Sequence, residues 1–119
     1  MADSSNTLHE QGLRPETIDR HRAIASLMEE LEAVDWYDQR LEASSNPELR
    51  AILQHNRDEE KEHAAMVLEW LRRNDAGLDA HLKTYLFSNG PIREAKAGGE
   101  SPVASAPTDG SLGIGSLKG

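Results

Sequence analysis

Glu60 and His63 are the residues whose types and spacing most directly suggest chemistry. They stand three residues apart in Glu60-Lys61-Glu62-His63, so on a helix both side chains project from one face, about one turn apart. Two-metal carboxylate sites in helical bundles use two such pairs, together with one further Glu from each of two other helices. The chain has one pair and one good candidate for the further Glu, which is Glu30. We therefore predict that two copies of the chain meet to complete one site.

These side chains also favour a class of metal ion. Imidazole and carboxylate suit iron(II), whereas thiolates favour zinc, copper(I) or iron–sulfur clusters, and the chain has no Cys. With Glu30, Glu60 and His63 from each of two chains, a two-fold axis through the site would give two equivalent irons. The residues thus predict a di-iron centre shared between two subunits.

Periodicity and capping residues predict three helices. The first is expected over residues 15–43, and residues 44–47 then supply a stop, an Asn cap and a first-turn proline for the second. The second helix should stop near Asn74, with Gly77 just beyond, and a shorter apolar stretch over residues 78–87 predicts a third. The fold class is therefore all-α, an antiparallel two-helix hairpin plus a short third helix.

The hairpin brings the candidate ligands to one height. If the turn is centred near Ser45, Glu30 lies fifteen residues before it and Glu60 fifteen residues after it. At 1.5 Å per residue both lie about 22 Å from the turn. An antiparallel pair of helices should therefore place Glu30 level with Glu60, and His63 within a turn of both.

Polar groups interrupt the apolar faces of both helices. The expected stripes are Ala23, Ile24, Leu27, Leu31, Val34 and Leu41 on the first helix, and Leu49, Ile52, Leu53, Ala64, Val67, Trp70 and Leu71 on the second. Glu60 and His63 fall inside the second stripe, and Glu30 sits on the edge of the first. A carboxylate in a core without a partner costs several kcal/mol, which a metal ion can offset. A His–Glu hydrogen bond that staples a dimer core would offset it without a metal.

Composition narrows the class of protein. The chain has 119 residues, and 37% of them are hydrophobic. This fraction is low for a chain that must form its own core, so we expect chains to associate. The formal charge of −8 argues against nucleic-acid binding and suits a protein that attracts cations. Because neither a secretory signal nor an apolar run of about 20 residues is visible, we expect a soluble, cytoplasmic protein with no membrane partner.

Other polar and aromatic residues have simpler interpretations. Asn56 is expected to be a core or interface polar residue, and Tyr37 and Trp70 are expected to pack. Glu29 and Glu32 are most simply a solvated acidic face. No partner pattern is visible for His9, His21, His55 and His81.

The C-terminal stretch is a separate signature. Residues 94–109 are rich in Ala, Gly, Ser and Pro, as flexible linkers are. In residues 110–119, Leu112, Ile114 and Leu117 are spaced by Gly and Ser, and three aliphatic side chains on such a backbone cannot form a core. We expect this segment to become ordered only in a groove of a partner.

Taken together, these residues resemble the encapsulated ferritin-like proteins, the cargo enzymes of bacterial encapsulin nanocompartments. The resemblance covers residues 16–93 and the extreme C-terminus. Its most specific parts are MEELEAVDWY at 28–37, HNRDEEKEHA at 55–64, TYLF at 84–87 and GSLGIGSL at 110–117.

The resemblance implies an assembly and an activity. Residues 1–13 would be a disordered segment, 14–93 a ferritin-like helical domain, 94–109 a flexible linker and 110–119 an encapsulin-targeting peptide. Protomers would dimerise into a ferritin-like four-helix bundle, and the dimers would form a ring, typically a decamer. The implied activity is that of a ferroxidase, which oxidises Fe(II) with oxygen and supplies iron for mineral storage inside the nanocompartment.

The resemblance also implies roles for single residues. The ferroxidase ligands would be Glu30, Glu60 and His63. A secondary site on the path of metal uptake would fall on Glu29 and Glu32. Trp36 would line that path, and the three aliphatic residues of the tail would contact the encapsulin shell.

Two other functions stay open. A di-metal peroxidase could use the same ligands, although the chain has no Cys for a rubredoxin-type electron-transfer site. A non-enzymatic adaptor would be a helical dimer with a hydrogen-bonded polar core and a tethering tail. Metal content after anaerobic addition of Fe(II) separates the adaptor from the enzymes, and a comparison of peroxide with oxygen separates the two enzymes.

The tail gives a prediction that depends on the sequence alone. Deleting residues 110–119 should leave the kinetics of Fe(II) oxidation unchanged and prevent co-purification with a co-expressed encapsulin shell, because many weak tail contacts would tether each ring. Fusing the same residues to an unrelated soluble protein is the matched control and should direct that protein into the shell. A truncated chain that is packaged as well as the full one would refute this reading.

Overall fold

The computed structural model describes residues 7–96, and over that range the chain is all-α. It divides after Asn74 into two compact units. The first is a hairpin of two long helices, and the second holds a short helix and a 3-10 turn. The elements are α1, Pro15–Ala43; α2, Pro47–Arg73; α3, Ala76–Tyr85; and the 3-10 turn Ile92–Glu94. The predicted hairpin and short third helix are confirmed. No helix within residues 7–96 is long and apolar enough to cross a membrane.

The ends of α1 and α2 lie where their capping residues predict. Pro15 occupies the first turn of α1. Asn46 caps α2, its side chain accepting a hydrogen bond from the Leu49 backbone N–H at 2.9 Å. Arg72 and Arg73 lie in the last turn of α2, where their positive charge faces the negative end of the helix dipole. Local sequence signals therefore account for both helices.

Arg50 closes the turn of the hairpin. Its guanidinium donates hydrogen bonds to the backbone carbonyls of Leu41 and Ser44, the second at 3.1 Å. Carbonyls at the C-terminal end of a helix lack partners within the helix and need them from elsewhere. The side chain from α2 therefore completes the end of α1 and holds the two helices together beside the turn.

The apolar core of the hairpin is narrow. Within residues 7–96 the buried apolar residues are Leu41, Leu53, Ala64 and Leu71. The expected stripes are wider than this core, since Leu31 and Ile52 are each 53% exposed. Each helix can cover only one side of the other, so the rest of each stripe stays open. This exposed apolar surface is what the expected association of chains would cover.

The third helix is confirmed, with both ends two residues earlier than expected. The Asp75 side chain accepts a hydrogen bond from Leu78 N–H at 3.0 Å, which starts α3 at Ala76 and puts Gly77 in its first turn. The helix ends at Tyr85 because Leu86 is extended, with φ −69° and ψ 138°, and Phe87 then takes a left-handed conformation with a φ of 61°.

Residues 1–6 and 97–119 lie outside the described residues. The predicted linker over residues 94–109 falls mostly in this part of the chain. The predicted targeting peptide, with Leu112, Ile114 and Leu117, falls wholly within it, and these assignments stay predictions.

The Asn46 cap should make a measurable contribution to stability. Asn46→Ala removes the acceptor for Leu49 N–H and should lower the free energy of unfolding by about 1 kcal/mol. Urea denaturation in the presence of a chelator measures the change. Asn46→Asp keeps the acceptor and should stay close to the parent, so equal losses in the two variants would argue against the capping role.

Candidate metal centre

Glu30, Glu60 and His63 lie together between the two helices of the hairpin. His63 Nδ1 is 3.5 Å from Glu30 Oε1 and 3.4 Å from Glu60 Oε1. One ligand atom from each of the three residues lies within 4.8 Å of the others. In the part of the chain that the structure describes, this is the one group of three or more potential ligands at such spacing. The hairpin therefore brings together the residues that the sequence singles out.

The cluster follows from the pairing of the helices. Glu30 comes from the middle of α1, and Glu60 and His63 come from successive turns of α2. Glu30 and Glu60 are equally far from Ser45 along the chain, so antiparallel pairing puts them at one height. Their meeting needs no irregular backbone.

The cluster is open on one side. The exposed fraction is 26% for the Glu30 side chain, 25% for Glu60 and 45% for His63. The sequence places Glu60 and His63 inside an apolar stripe, but one facing helix does not cover that stripe. An ion can therefore reach these atoms from solvent, and further ligands can reach the ion from outside the chain.

Crowding changes the proton affinity of the cluster. A hydrogen bond with Glu60, partial desolvation and the charge of Glu60 raise the pKa of Glu30 above its ordinary value, against the opposing effect of His63. Desolvation pulls the pKa of His63 down, but attraction to Glu30 and the hydrogen bond and charge of Glu60 outweigh it and raise that pKa. Both shifts favour the protonated forms, so protons and a cation would compete for these side chains.

The alternative given by the sequence is a metal-free cluster, in which His63 would join the carboxylates through hydrogen bonds alone. Good N–H···O bonds are about 2.7–3.2 Å long between heavy atoms. The 3.4 and 3.5 Å separations at His63 are longer, and two carboxylates compete for the same ring nitrogen. The hydrogen bonds that His63 can make to Glu30 and Glu60 are therefore long ones. Two carboxylates and one imidazole are also a donor set that suits Fe(II), so the residues fit the metal that the resemblance implies.

The residues of the predicted secondary site are not part of this cluster. Glu29 and Glu32 are exposed and lie on a different face of α1. Trp36 is 46% exposed, and the Arg40 guanidinium carbon lies 5.7 Å from the centre of its ring and 5.4 Å from that of Tyr37. These cation–π contacts hold both rings against one side chain. The metal-binding role of Glu29 and Glu32 stays a prediction.

Two polar pairs in the structure were not predicted from the sequence. His55 Nε2 lies 3.2 Å from Glu59 Oε2 one turn along α2, a pair that the spacing of four residues could have revealed. Arg57 Nη1 donates a hydrogen bond across the hairpin to Asp38 Oδ1 at 3.1 Å. No local pattern predicts the second pair, because its members are 19 residues apart in the chain.

Fold and cluster together define a class. A helical hairpin with a Glu-x-x-His pair on one helix facing a Glu on the other has the design of half a ferritin-like metal-binding bundle. The model of the EncFtn-like family matches residues 6–89, so the chain belongs to the EncFtn-like family. The resemblance inferred from the sequence is confirmed.

Named relatives and a solved structure support this membership. The chain is 63% identical to the encapsulated ferritin-like protein of Rhodospirillum rubrum over 130 aligned residues, which cover 100% of this chain and 93% of the relative. It is 37% identical to the encapsulin nanocompartment cargo protein EncC of Myxococcus xanthus, over 75% of this chain and 76% of the relative. The crystal structure of protein ne0167 from Nitrosomonas europaea is similar with a TM-score of 0.69 and 62% identity, covering 72% of this chain and 96% of that one.

The raised pKa of Glu30 predicts that its ionisation destabilises the metal-free protein. Between the ordinary carboxyl pKa and the raised one, the folded state binds more protons than the unfolded state, so stability falls as pH rises through that window. With a chelator at about pH 8, Glu30→Gln should therefore melt a few degrees above the parent. Below about pH 4 the Glu30 side chain is neutral in the parent, as Gln is in the variant, so the difference in melting temperature should vanish.

The matched control for this prediction is Glu29→Gln, which removes the same charge one residue away and outside the cluster. Its melting temperature should show no comparable pH-dependent gain over the parent. A Glu30→Gln chain that melts below the parent at about pH 8 would show that the ionised carboxylate stabilises the fold instead.

Proposed function

We propose that this protein is a ferroxidase, which oxidises Fe(II) to Fe(III) with oxygen at a di-iron site shared between two subunits. The observation that carries the proposal is the meeting of Glu30, Glu60 and His63 across the hairpin, at 3.4 and 3.5 Å around one ring nitrogen. The donor set suits Fe(II), and membership of the EncFtn-like family supports ferritin-like chemistry.

A second copy of the chain would complete the site. One hairpin supplies two carboxylates and one imidazole, whereas a ferritin-like two-metal site draws its ligands from four helices. Leu31 adjoins Glu30 and Met66 follows His63 by one turn, and these two apolar side chains are 53% and 58% exposed. A second hairpin packed there would cover both and, by two-fold symmetry, would present the same three ligands again.

The three side chains would have distinct tasks. The carboxylates of Glu30 and Glu60 attract the cation and, being negative, stabilise the ferric product more than the ferrous substrate. His63 adds an imidazole ligand, and three ligands per chain leave room for oxygen or water. Two Fe(II) ions held by these residues would each give one electron to oxygen, and one oxygen molecule that takes up these two electrons and two protons becomes hydrogen peroxide. The protons released by Glu30 and His63 when metal binds make that binding stronger as pH rises.

Storage of the product would depend on a shell. The Rhodospirillum rubrum relative is named as encapsulated, and the Myxococcus xanthus relative is named as an encapsulin nanocompartment cargo protein. We propose that paired chains of this protein form a ring, typically a decamer, and that Leu112, Ile114 and Leu117 dock it on an encapsulin shell. In support, the similarity to the Rhodospirillum rubrum protein covers the whole chain, these three residues included.

A path for iron uptake would lead over α1. Glu29 and Glu32 are exposed carboxylates beside the cluster in sequence, and Trp36 follows Glu32 by one turn. We propose that the two carboxylates bind Fe(II) weakly before it reaches Glu30. Exposed acidic groups attract cations over about 10 Å at ordinary ionic strength, which would raise the local concentration of the substrate.

Removing a ligand should abolish rapid Fe(II) oxidation without unfolding the chain. In Glu60→Ala and in His63→Ala, and likewise in Glu30→Ala, the initial rate after mixing anaerobic Fe(II) with oxygen should fall close to the rate without protein. Helix content by circular dichroism should stay at the parent level, because the surrounding residues are unchanged. The measurements are oxygen consumption and the growth of ferric absorbance, with a parallel series in hydrogen peroxide to test for a peroxidase.

The matched control is the double variant Glu29→Ala/Glu32→Ala. It removes two carboxylates from the same helix and should change the rate of iron uptake, while native mass spectrometry still finds the main site filled. Native mass spectrometry also tests whether the site is shared, because bound iron should be found in dimers and not in monomers. A ligand variant that oxidises Fe(II) at the parent rate would falsify the ligand assignment, and a parent chain that binds no Fe(II) would favour the adaptor.

A further inference from the structure

Asp38 and Arg57 form an ion pair between α1 and α2, outside the metal cluster. Arg57 Nη1 lies 3.1 Å from Asp38 Oδ1, and the exposed fraction is 21% for the Arg57 side chain and 51% for the Asp38 side chain. Arg57 Nε is buried without a hydrogen-bond partner and lies 3.5 Å from Asp58 Oδ1. The Arg57 side chain is thus mostly buried although the apolar core of the hairpin is narrow. Its contact with Asp38 joins the two helices and so depends on how they are aligned.

The pair lies about two turns from the cluster, towards the turn of the hairpin. Asp38 follows Glu30 by eight residues on α1, and Arg57 precedes His63 by six on α2. At 1.5 Å per residue these steps are about 12 and 9 Å, so the two interhelical pairs belong to one alignment of the helices. Sliding one helix by a single turn, about 5.4 Å, would break both pairs at once.

Apolar packing alone specifies this alignment poorly. Large apolar residues of α1 lie on more than one face, and Ile24, Leu31 and Trp36 are each about half exposed. The short turn and the Arg50 contacts fix the alignment at the closed end of the hairpin, and beyond them apolar contacts, which are not directional, specify it poorly. The cluster depends on this alignment, since its three potential ligand atoms come from both helices and lie within 4.8 Å of one another.

We propose that Asp38 and Arg57 are positioning residues, which maintain the register of α1 against α2 between the turn and the cluster and so hold Glu30 at ligand distance from Glu60 and His63. This inference rests on the proposed metal-binding role of those three residues. An ion pair with one half-exposed partner adds little net stability, because desolvation and screening by solvent offset the attraction, but it disfavours every arrangement that leaves its charges unpaired. Specifying a register is the best attested use of such pairs.

The test separates alignment from stability. The double variant Asp38→Leu/Arg57→Met replaces the pair with apolar side chains and should melt, without metal, at or above the parent temperature. Its affinity for Fe(II), measured anaerobically by calorimetry on the full chain, should fall roughly tenfold, as when groups that orient metal ligands are lost. The charge-reversed variant Asp38→Arg/Arg57→Asp restores a pair at the same position and should recover most of the affinity.

The matched control is Asp79→Leu/Lys83→Met. It removes an ion pair of 3.1 Å within α3, with the same replacement residues, and should keep parent affinity for Fe(II). If the Asp38/Arg57 apolar variant also keeps parent affinity while Glu60→Ala loses it, the positioning role is overturned and the proposed site stands. If Glu60→Ala keeps it too, the proposed function itself fails. Should the apolar variant not fold, the charge-reversed one decides, and affinity tenfold below the parent overturns the inference.

Discussion

The antiparallel pairing of α1 and α2 is the constraint on which the rest of this structure depends. Two helices can bury only the strip along which they touch, and here that strip holds Leu41, Leu53, Ala64 and Leu71. Most apolar residues of the hairpin therefore stay at least partly open. The same pairing places Glu30 against Glu60 and His63, so the feature that limits the core also brings the three candidate ligands together.

Electrostatics at the cluster act in two directions, because the charge of Glu60 disfavours ionised Glu30 whereas both carboxylates favour charged His63. Glu30 and Glu60 crowd each other, and the pKa of Glu30 is raised as a result. At the end of α2, by contrast, opposite charges pair with each other. Arg72 and Arg73 donate hydrogen bonds to Glu69 and lower its pKa to about 2. The two carboxylates of the cluster therefore lie unfavourably close to each other, and a bound cation would relieve that repulsion.

The proposed activity and the proposed assembly draw on the same surface. The open side of the cluster is where further ligands would enter, and exposed apolar residues such as Leu31 and Met66 lie beside it in the chain. Pairing of two chains would complete the ligand set and would also bury apolar residues that are exposed in one chain. Iron binding and association would therefore be thermodynamically linked. The polar contacts of Arg50 and Arg57 would keep each half aligned before the partner arrives.

The sequence by itself determined the helices and the candidate ligands, because these follow from local signals. Proline, Asn caps and helical periodicity give the bounds of α1 and α2, and counting residues from the turn puts Glu30 level with Glu60. Only the tertiary structure decided how far the cluster is exposed, how its pKa values shift and that Arg57 bonds to Asp38. These features depend on which side chains face each other across the hairpin, and residues far apart in the chain leave no local pattern from which that could be read.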